Sequence, residues 1–344
     1  MRIKSLFILT PVLVLSMLLG GCGSKETPAP TETPTLAPTV APTATPSAPL
    51  AILVVPADMD QAQSNLYQST MYELAQAAGY RFQARNNLAA ADLDPSVKIV
   101  VAFPPDPGVA ALAAAAPQTQ FLAVELPGVP AGGNVSVVAN ASRPDMVGFF
   151  LGYVSALVTA EEDSRVGMIV PQGDPNAQTA FAAFKNGMTF YCGSCPKMYF
   201  YFDIYGNTLE YPQIVEIPAS AGVNEYPAYG RLLKEKKVAM AYVYPSIATP
   251  DLLSAIGSEG VISIGDMTPN PRPLYWAASL QPDLAQAIRL AWAELSAGRG
   301  GQTFTAPFAL TDMDPNIITP GKLQLINQTL ADLLAGRINI GLGQ

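Results

Sequence analysis

The sequence predicts an α/β fold in two lobes, each a parallel sheet flanked by helices. Continuous apolar runs rich in Val, Ile and Leu alternate with longer helical patterns, which is typical of parallel sheets covered on both faces. The alternation restarts near Arg165, which favours two similar sheets over one very wide sheet. We therefore expect two lobes with a concave cleft between them.

The individual elements follow from the period of the apolar residues. Strand-like runs are residues 51–55, 97–103, 120–125, 135–139, 165–170, 198–202, 214–217, 238–243, 261–264 and 274–280. Helical patterns, with apolar residues three and four positions apart, are residues 63–78, 108–115, 145–159, 177–190, 226–236, 250–257, 284–296 and 322–334. Most of these helices lie between two strands, as a parallel sheet requires.

The first residues have the pattern of an export signal. Arg2 and Lys4 precede an apolar run over residues 6–19, which is shorter than the roughly 20 residues that a membrane span needs. The run ends in Leu-Gly-Gly-Cys22, which resembles the bacterial lipobox. The resemblance implies that residues 1–21 are a cleaved signal peptide and that Cys22 carries a lipid on the outer face of the cytoplasmic membrane. An ordinary cleaved signal and an uncleaved membrane helix are the alternatives.

Residues 22–49 form the expected anchor and tether. Apart from the cysteine, the segment consists mostly of Pro, Thr, Ala and Ser, with prolines at positions 30, 34, 38, 42 and 46. Such a segment cannot bury a core, and its prolines favour an extended polyproline-like spacer. We expect it to hold the globular part away from the membrane.

The composition argues against nucleic-acid binding and against catalysis. The formal net charge is -8 and no basic patch is present, so nucleic acid is not an expected partner. The chain has no histidine, which excludes Ser-His-Asp and Cys-His catalytic sites and removes a common zinc ligand. The glycine-rich residues 298–301 lack the lysine of a phosphate-binding loop. We expect no enzymatic activity, no cofactor and no metal.

Cys192 and Cys195 form a C-x-x-C pair. The pair is half of a zinc ligand set, and a protein outside the cytoplasm favours a structural disulfide. A redox-active pair and two free thiols are the alternatives. The predicted position between a helix and a strand favours the disulfide over a thioredoxin-like role.

The loops that leave the strands supply the candidate ligand-binding residues, because ligands of open parallel sheets bind at the carboxyl ends of strands. These candidates offer acceptors for hydroxyl groups and aromatic faces for stacking: Asp58, Asp60, Asn65, Phe103, Glu125, Asp174, Tyr244, Ser246 and Asp266. Other roles stay open. Asp266 could cap a following helix, Asp58 and Asp60 could favour a helix start, and the two aromatic residues could pack in the core.

Four segments resemble the basic membrane protein family: residues 134–140, 147–156, 165–170 and 175–187. These are lipoproteins of the type I periplasmic-binding-protein fold that capture nucleosides for ABC importers. The resemblance implies an interlobe ligand cleft and an aspartate, here Asp266, that accepts hydrogen bonds from ribose hydroxyls. The sequence departs from the family at residues 58–65, at 218–221, where no aromatic occurs, and at Gln281, where the family has a lysine.

The implied lobes are residues 50–160 with 282–310 and residues 161–281 with 311–344. The expected function is that of a monomeric solute-binding lipoprotein, which captures a nucleoside-like or sugar-like small molecule and delivers it to an ABC permease. The alternatives are a ligand-sensing receptor of the same fold and a surface protein that has lost ligand binding.

Overall fold

The computed structural model describes residues 47–139, 143–193 and 201–342, and these contain twelve strands and eight helices. The strands form two six-stranded sheets. The predicted signal peptide, Cys22 and most of the predicted tether therefore lie outside the described residues.

The first sheet has the strand order β11-β5-β4-β3-β1-β2, and every pair is parallel. Its strands are β1 (Leu50–Val54), β2 (Arg81–Arg85), β3 (Val97–Ala102), β4 (Gln120–Val124), β5 (Val135–Ala139) and β11 (Thr303–Thr305). Alternate side chains of a strand point to opposite faces, so each face builds its own core. Helices α1 (Gln61–Ala77) and α7 (Leu284–Ser296) cover one face, and α2 (Val109–Ala115) covers the other.

The second sheet has the order β12-β10-β9-β8-β6-β7, and β12 is antiparallel to β10. Its strands are β6 (Val166–Pro171), β7 (Gln213–Ile217), β8 (Met240–Val243), β9 (Ile262–Gly265), β10 (Trp276–Pro282) and β12 (Phe308–Thr311). Helices α3 (Pro144–Val158), α4 (Pro175–Cys192) and α8 (Pro320–Leu334) cover one face. Helices α5 (Tyr226–Glu235) and α6 (Pro250–Ser258) cover the other.

The predicted elements agree with this arrangement, with three strands missed. Every predicted helix is present, and so is every predicted strand except 198–202, of which residues 198–200 lie outside the described part. Phe202 forms only an isolated bridge with Thr208. The missed strands β2, β11 and β12 lie at sheet edges, and none has a continuous apolar run of the kind that marks a buried strand.

The chain passes between the lobes after β5, between β10 and α7, and between β11 and β12. Two predicted lobe boundaries therefore need correction. Helix α3, assigned to the first lobe by the boundary at residue 160, packs with β6 and β8 in the core of the second lobe. Strand β12, which starts before the predicted boundary at residue 310, pairs with β10 of the second lobe.

Helices α3 and α4 pack with their backbones unusually close. A Cβ atom on Gly148 would collide with the carbonyl oxygen of Ala180, and one on Gly152 with that of Phe184. In the same way, a Cβ on Gly187 would collide with the carbonyl of Phe149. These glycines belong to the segments that resemble the basic membrane protein family, so part of that resemblance reflects helix packing.

Candidate functional site

The carboxyl ends of both sheets adjoin the segments that join the lobes. Strands β5, β10 and β11 each end where the chain passes to the other lobe. The amide of Asp283 donates a 2.7 Å hydrogen bond to the carbonyl of Pro307, which ties two of these segments together. Loops from both sheets therefore lead toward the same region, where a two-lobed α/β protein binds its ligand.

Asp266 follows β9 directly and is half-buried. No helix begins after it, because the next element is strand β10, so the helix-capping alternative is wrong for this residue. Its carboxylate accepts a 2.9 Å hydrogen bond from the hydroxyl of Tyr242. Burial raises the pKa of Asp266 in spite of this bond, which acts in the opposite direction.

Tyr242 was not predicted as part of the site, because it lies inside the apolar run of β8. Its ring is fully buried, and burial, the charge of Asp266 and their shared hydrogen bond all raise its pKa well above the usual value. Only the three-dimensional pairing of β8 with β9 shows that its hydroxyl reaches Asp266. In a continuous apolar strand, the sequence pattern does not distinguish a tyrosine that only fills the core from one whose hydroxyl reaches a polar residue.

Tyr244 lies near two carboxylates, those of Asp266 and Asp174. The rings of Tyr244 and Tyr242 are 6.2 Å apart, and Tyr244 is half-buried. Burial raises the pKa of Tyr244, and the charges of Asp174 and Asp266 raise it further. Asp174 also caps α4, where its carboxylate accepts hydrogen bonds of 2.8 and 3.1 Å from two backbone amides. Ser246 is exposed in a short 3-10 turn.

Glu125 is the corresponding group of the first lobe. It follows β4, is half-buried, and has a φ of 53°, in the left-handed region that residues other than glycine rarely adopt. Burial raises the pKa of its carboxyl group. Within the described residues, no hydrogen bond or ion pair engages this carboxylate.

Tyr67 on α1 was also missed by the sequence patterns, in which it is one apolar residue of a helix. It is only 7% exposed, and its ring stacks on Phe103 with centroids 4.4 Å apart. Burial raises its pKa, and the charges of Glu125 and Asp283 raise it further. Phe103 is itself 3% exposed and belongs to the core, so the packing alternative describes its position.

The residues before and inside the start of α1 have local roles. Asp60 is the N-cap, and its carboxylate accepts hydrogen bonds of 2.9 and 3.0 Å from the amides of Ala62 and Gln63. Asp58 lies in the exposed turn before it. Asn65 is exposed and accepts a 2.8 Å hydrogen bond from Gln61. The helix-start alternative thus accounts for Asp60.

The cysteine predictions fall largely outside the described residues. Cys192, the last residue of α4, is disulfide-bonded. Cys195 and Cys22 lie outside the described part, so the disulfide role of Cys195 and the lipid attachment at Cys22 stay predictions.

The described residues hold neither a metal-binding cluster nor a helix suited to span a membrane. No group of three or more His, Cys, Asp or Glu residues in them could hold a metal ion. Among the same residues, none of the helices combines the length and apolar character that crossing a membrane requires.

Solved structures share this architecture. An ABC transporter solute-binding protein from Conexibacter woesei DSM 14684 is 14% identical, has a TM-score of 0.51, and matches over 85% of this chain and 98% of its own. Its counterpart from Aeropyrum pernix K1 is 13% identical, with a TM-score of 0.42 over 85% and 92% of the two chains. A LacI family transcriptional regulator from Enterococcus faecium with bound ribose is 10% identical, with a TM-score of 0.37 over 76% and 97%.

The chain has the type I periplasmic-binding-protein fold. This confirms the predicted fold class. A sequence identity of 14% shows a shared fold and nothing more. No family model and no curated protein matches the chain. The structural matches are binding and regulatory proteins, and nothing in them is specific to the basic membrane protein family.

Proposed function

We propose that the protein is an extracytoplasmic solute-binding lipoprotein, which captures a small polar molecule between its lobes and delivers it to an ABC permease. The observation that carries the proposal is the environment of Asp266. This carboxylate stands at the carboxyl edge of its sheet, is half-buried, and caps no helix. An ionised carboxylate can accept about four hydrogen bonds, and Tyr242 supplies one, so acceptor capacity is left for a ligand.

The fold offers a mechanism for capture. Short segments join the two lobes, and such segments can act as hinges when domains close around a ligand. A ligand that contacts both lobes favours the closed state by its higher affinity for that state. A permease that recognises the closed form would then receive only loaded protein.

The lipobox-like end at Cys22 and the proline-rich tether support a location at the outer face of the membrane. The segments that resemble the basic membrane protein family support a nucleoside-like or sugar-like ligand. The departures at Gln281 and at residues 218–221 indicate that this chain lacks some of the family's ligand contacts.

A thermal-shift screen of the full chain with nucleosides, sugars and small amides tests the proposal. A true ligand at a hundredfold excess over its Kd stabilises the protein by about 2.7 kcal/mol. Asp266→Ala should abolish the shift, and Asp332→Asn, which changes an exposed ion pair at the end of α8, should preserve it. No shift with any compound would favour a surface protein that has lost ligand binding. A shift without association with a permease would favour a sensing receptor.

A further inference from the structure

Most carboxylates at the carboxyl edges of the sheets have a structural partner. Three aspartates cap helices that begin there: Asp60 caps α1, Asp174 α4 and Asp283 α7. The carboxylate of Asp106 accepts hydrogen bonds from the amides of Gly108 and Val109 at the start of α2. The positive end of a helix and its free amide groups offset the charge of a capping carboxylate. These aspartates therefore need no ligand to balance them.

Glu125 and Asp266 differ from these aspartates. One stands in each lobe, both are half-buried, and neither caps a helix. Glu125 has no hydrogen-bond or ion-pair partner in the part of the chain that the structure describes, and Asp266 has the neutral hydroxyl of Tyr242. Burial raises the pKa of both carboxyl groups, as expected for carboxylates that lack a nearby cation.

Tyr67 is a polar aromatic residue within electrostatic reach of Glu125. The residue is 7% exposed, and its hydroxyl makes no hydrogen bond within the described residues. Its stack on Phe103, which follows β3, holds the ring at the carboxyl edge of the first sheet. The hydroxyl itself reaches solvent, so it can hydrogen-bond a ligand group.

The basic residues near these edges are engaged elsewhere. Arg143, at the start of α3, donates two hydrogen bonds to the carboxylate of Asp145, at 2.9 and 3.0 Å. Arg272, in the loop after β9, donates to the carbonyl of Trp276, at the opposite end of the sheet. Arg85, at the end of β2, pairs with Asp92 at 2.8 Å. None of them makes an ion pair with Glu125 or Asp266 within the described residues.

We propose, on the basis of the proposed function, that the ligand is a small organic cation held between Glu125 of the first lobe and Asp266 of the second. Closure without a cation would bring two uncompensated negative charges toward each other, which is unfavourable. A bound amine or quaternary ammonium group offsets both charges. The half-buried ring of Tyr244 and the hydroxyl oxygens of Tyr67 and Tyr244 suit a cation. An anionic ligand would add a third negative charge.

Compounds that share a shape and differ in charge test the proposal. Calorimetry on the full chain compares choline with 3,3-dimethylbutanol, putrescine with 1,4-butanediol, and glucosamine with glucose and glucuronate. We expect a cationic member of at least one pair to bind. Its neutral counterpart should bind with an affinity at least about tenfold lower, and glucuronate should not bind. Raising the salt concentration to about 0.5 M should lower the affinity for the cationic ligand, because salt screens charge attraction.

Charge-removing variants test the two carboxylates themselves. Glu125→Gln and Asp266→Asn should each weaken binding of the cation by about tenfold or more. Each should also reduce the difference in affinity between the cation and its neutral counterpart. The controls Glu73→Gln and Asp332→Asn make the same charge changes in exposed ion pairs on α1 and α8, and should keep the parent affinity.

Three outcomes would overturn the inference. Neutral sugars or nucleosides that bind as well as or better than the cations would remove it and leave the proposed function standing. Equal losses in the control variants would also remove it, because they would indicate an effect of overall charge. No binding by any member of the series or by nucleosides would remove the inference together with the proposed function.

Discussion

The hydroxyl of Tyr242 donates a 2.9 Å hydrogen bond to Asp266, and this bond joins the core of the second lobe to the edge of its sheet. The Tyr242 ring is 1% exposed and stacks on Phe184 of α4, with centroids 6.3 Å apart. The packing of α4 thereby holds the tyrosine, and the tyrosine orients the carboxylate. The position of this candidate ligand-binding carboxylate thus depends on two buried residues, Tyr242 and Phe184.

The first prediction concerns this bond. Tyr242→Phe should raise the pKa of Asp266 above its value in the parent protein, because a hydrogen bond to a carboxylate stabilises the charged form. Carbon-13 NMR titration of the aspartate carboxyl groups measures the change. Tyr244→Phe is the matched control, because Tyr244 makes no hydrogen bond to Asp266 within the described residues. An unchanged or lower pKa in the Tyr242 variant would contradict the prediction.

The second prediction concerns Glu125 and pH. Its folded-state pKa lies above the ordinary value of 4.5, so between these two values the folded state binds more protons than the unfolded state. The free energy of unfolding should therefore fall as the pH rises through this interval. Glu125→Gln should remove this loss. The unfolding free energy of the variant minus that of the parent should therefore be larger at pH 7 than at pH 4.

Urea unfolding at several pH values measures this difference. Asp145→Asn is the opposite control, because the hydrogen bonds from Arg143 lower the pKa of Asp145 below its ordinary value of 3.8. Its stabilising contribution is present above 3.8 and is lost as the pH falls through the lowered pKa. A constant stability difference between the Glu125 variant and the parent at all pH values would refute the second prediction.

The third prediction concerns the contact between α3 and α4. Gly152→Ala should destabilise the protein by about 1–3 kcal/mol, because the new methyl group would collide with the Phe184 carbonyl and push the helices apart. Gly321→Ala in α8 is the control, since open space surrounds that position, and alanine favours a helix over glycine by about 1 kcal/mol. Chemical denaturation of both variants distinguishes packing from helix propensity.

The fourth prediction concerns the anchor. Cys22→Ser should abolish lipid attachment and release the protein from membranes when it is produced in a bacterium that processes lipoproteins. Mass spectrometry of the N-terminal peptide and membrane fractionation measure the two effects. Cys192→Ser should leave the lipid in place, because the lipobox pattern marks the first cysteine alone. Membrane retention of the Cys22 variant would favour an uncleaved helix.

Sequence patterns predicted the strands and helices well where burial repeats regularly. Helix α7 was predicted at its observed residues, and β5 likewise, because each has a clear apolar period. Strand β2 was missed because its residues, Arg-Phe-Gln-Ala-Arg, lie at a sheet edge and remain partly exposed. The lobe assignment of α3 failed because its buried surface fits either sheet until the partner helix α4 is known.

The candidate site divides in the same way. Asp266 and Glu125 could be found because each directly follows an apolar strand, and Asp174 because it lies in the loop after one. Tyr242 and Tyr67 could not, since a tyrosine in a strand or a helix has the same local pattern whether it fills the core or reaches a carboxylate. The same local pattern also hides the difference between Asp174, which caps a helix, and Asp266, which does not.

The sequence by itself determined the alternation of strands and helices and the absence of histidine chemistry, because these depend on local period and composition. It also predicted the lipobox-like end at Cys22 and its tether. Only the tertiary structure decided which acidic groups have partners. Hydrogen bonds and electrostatic interactions join residues distant in the chain: Tyr242 bonds to Asp266 across two strands, and the charge of Glu125 acts on Tyr67.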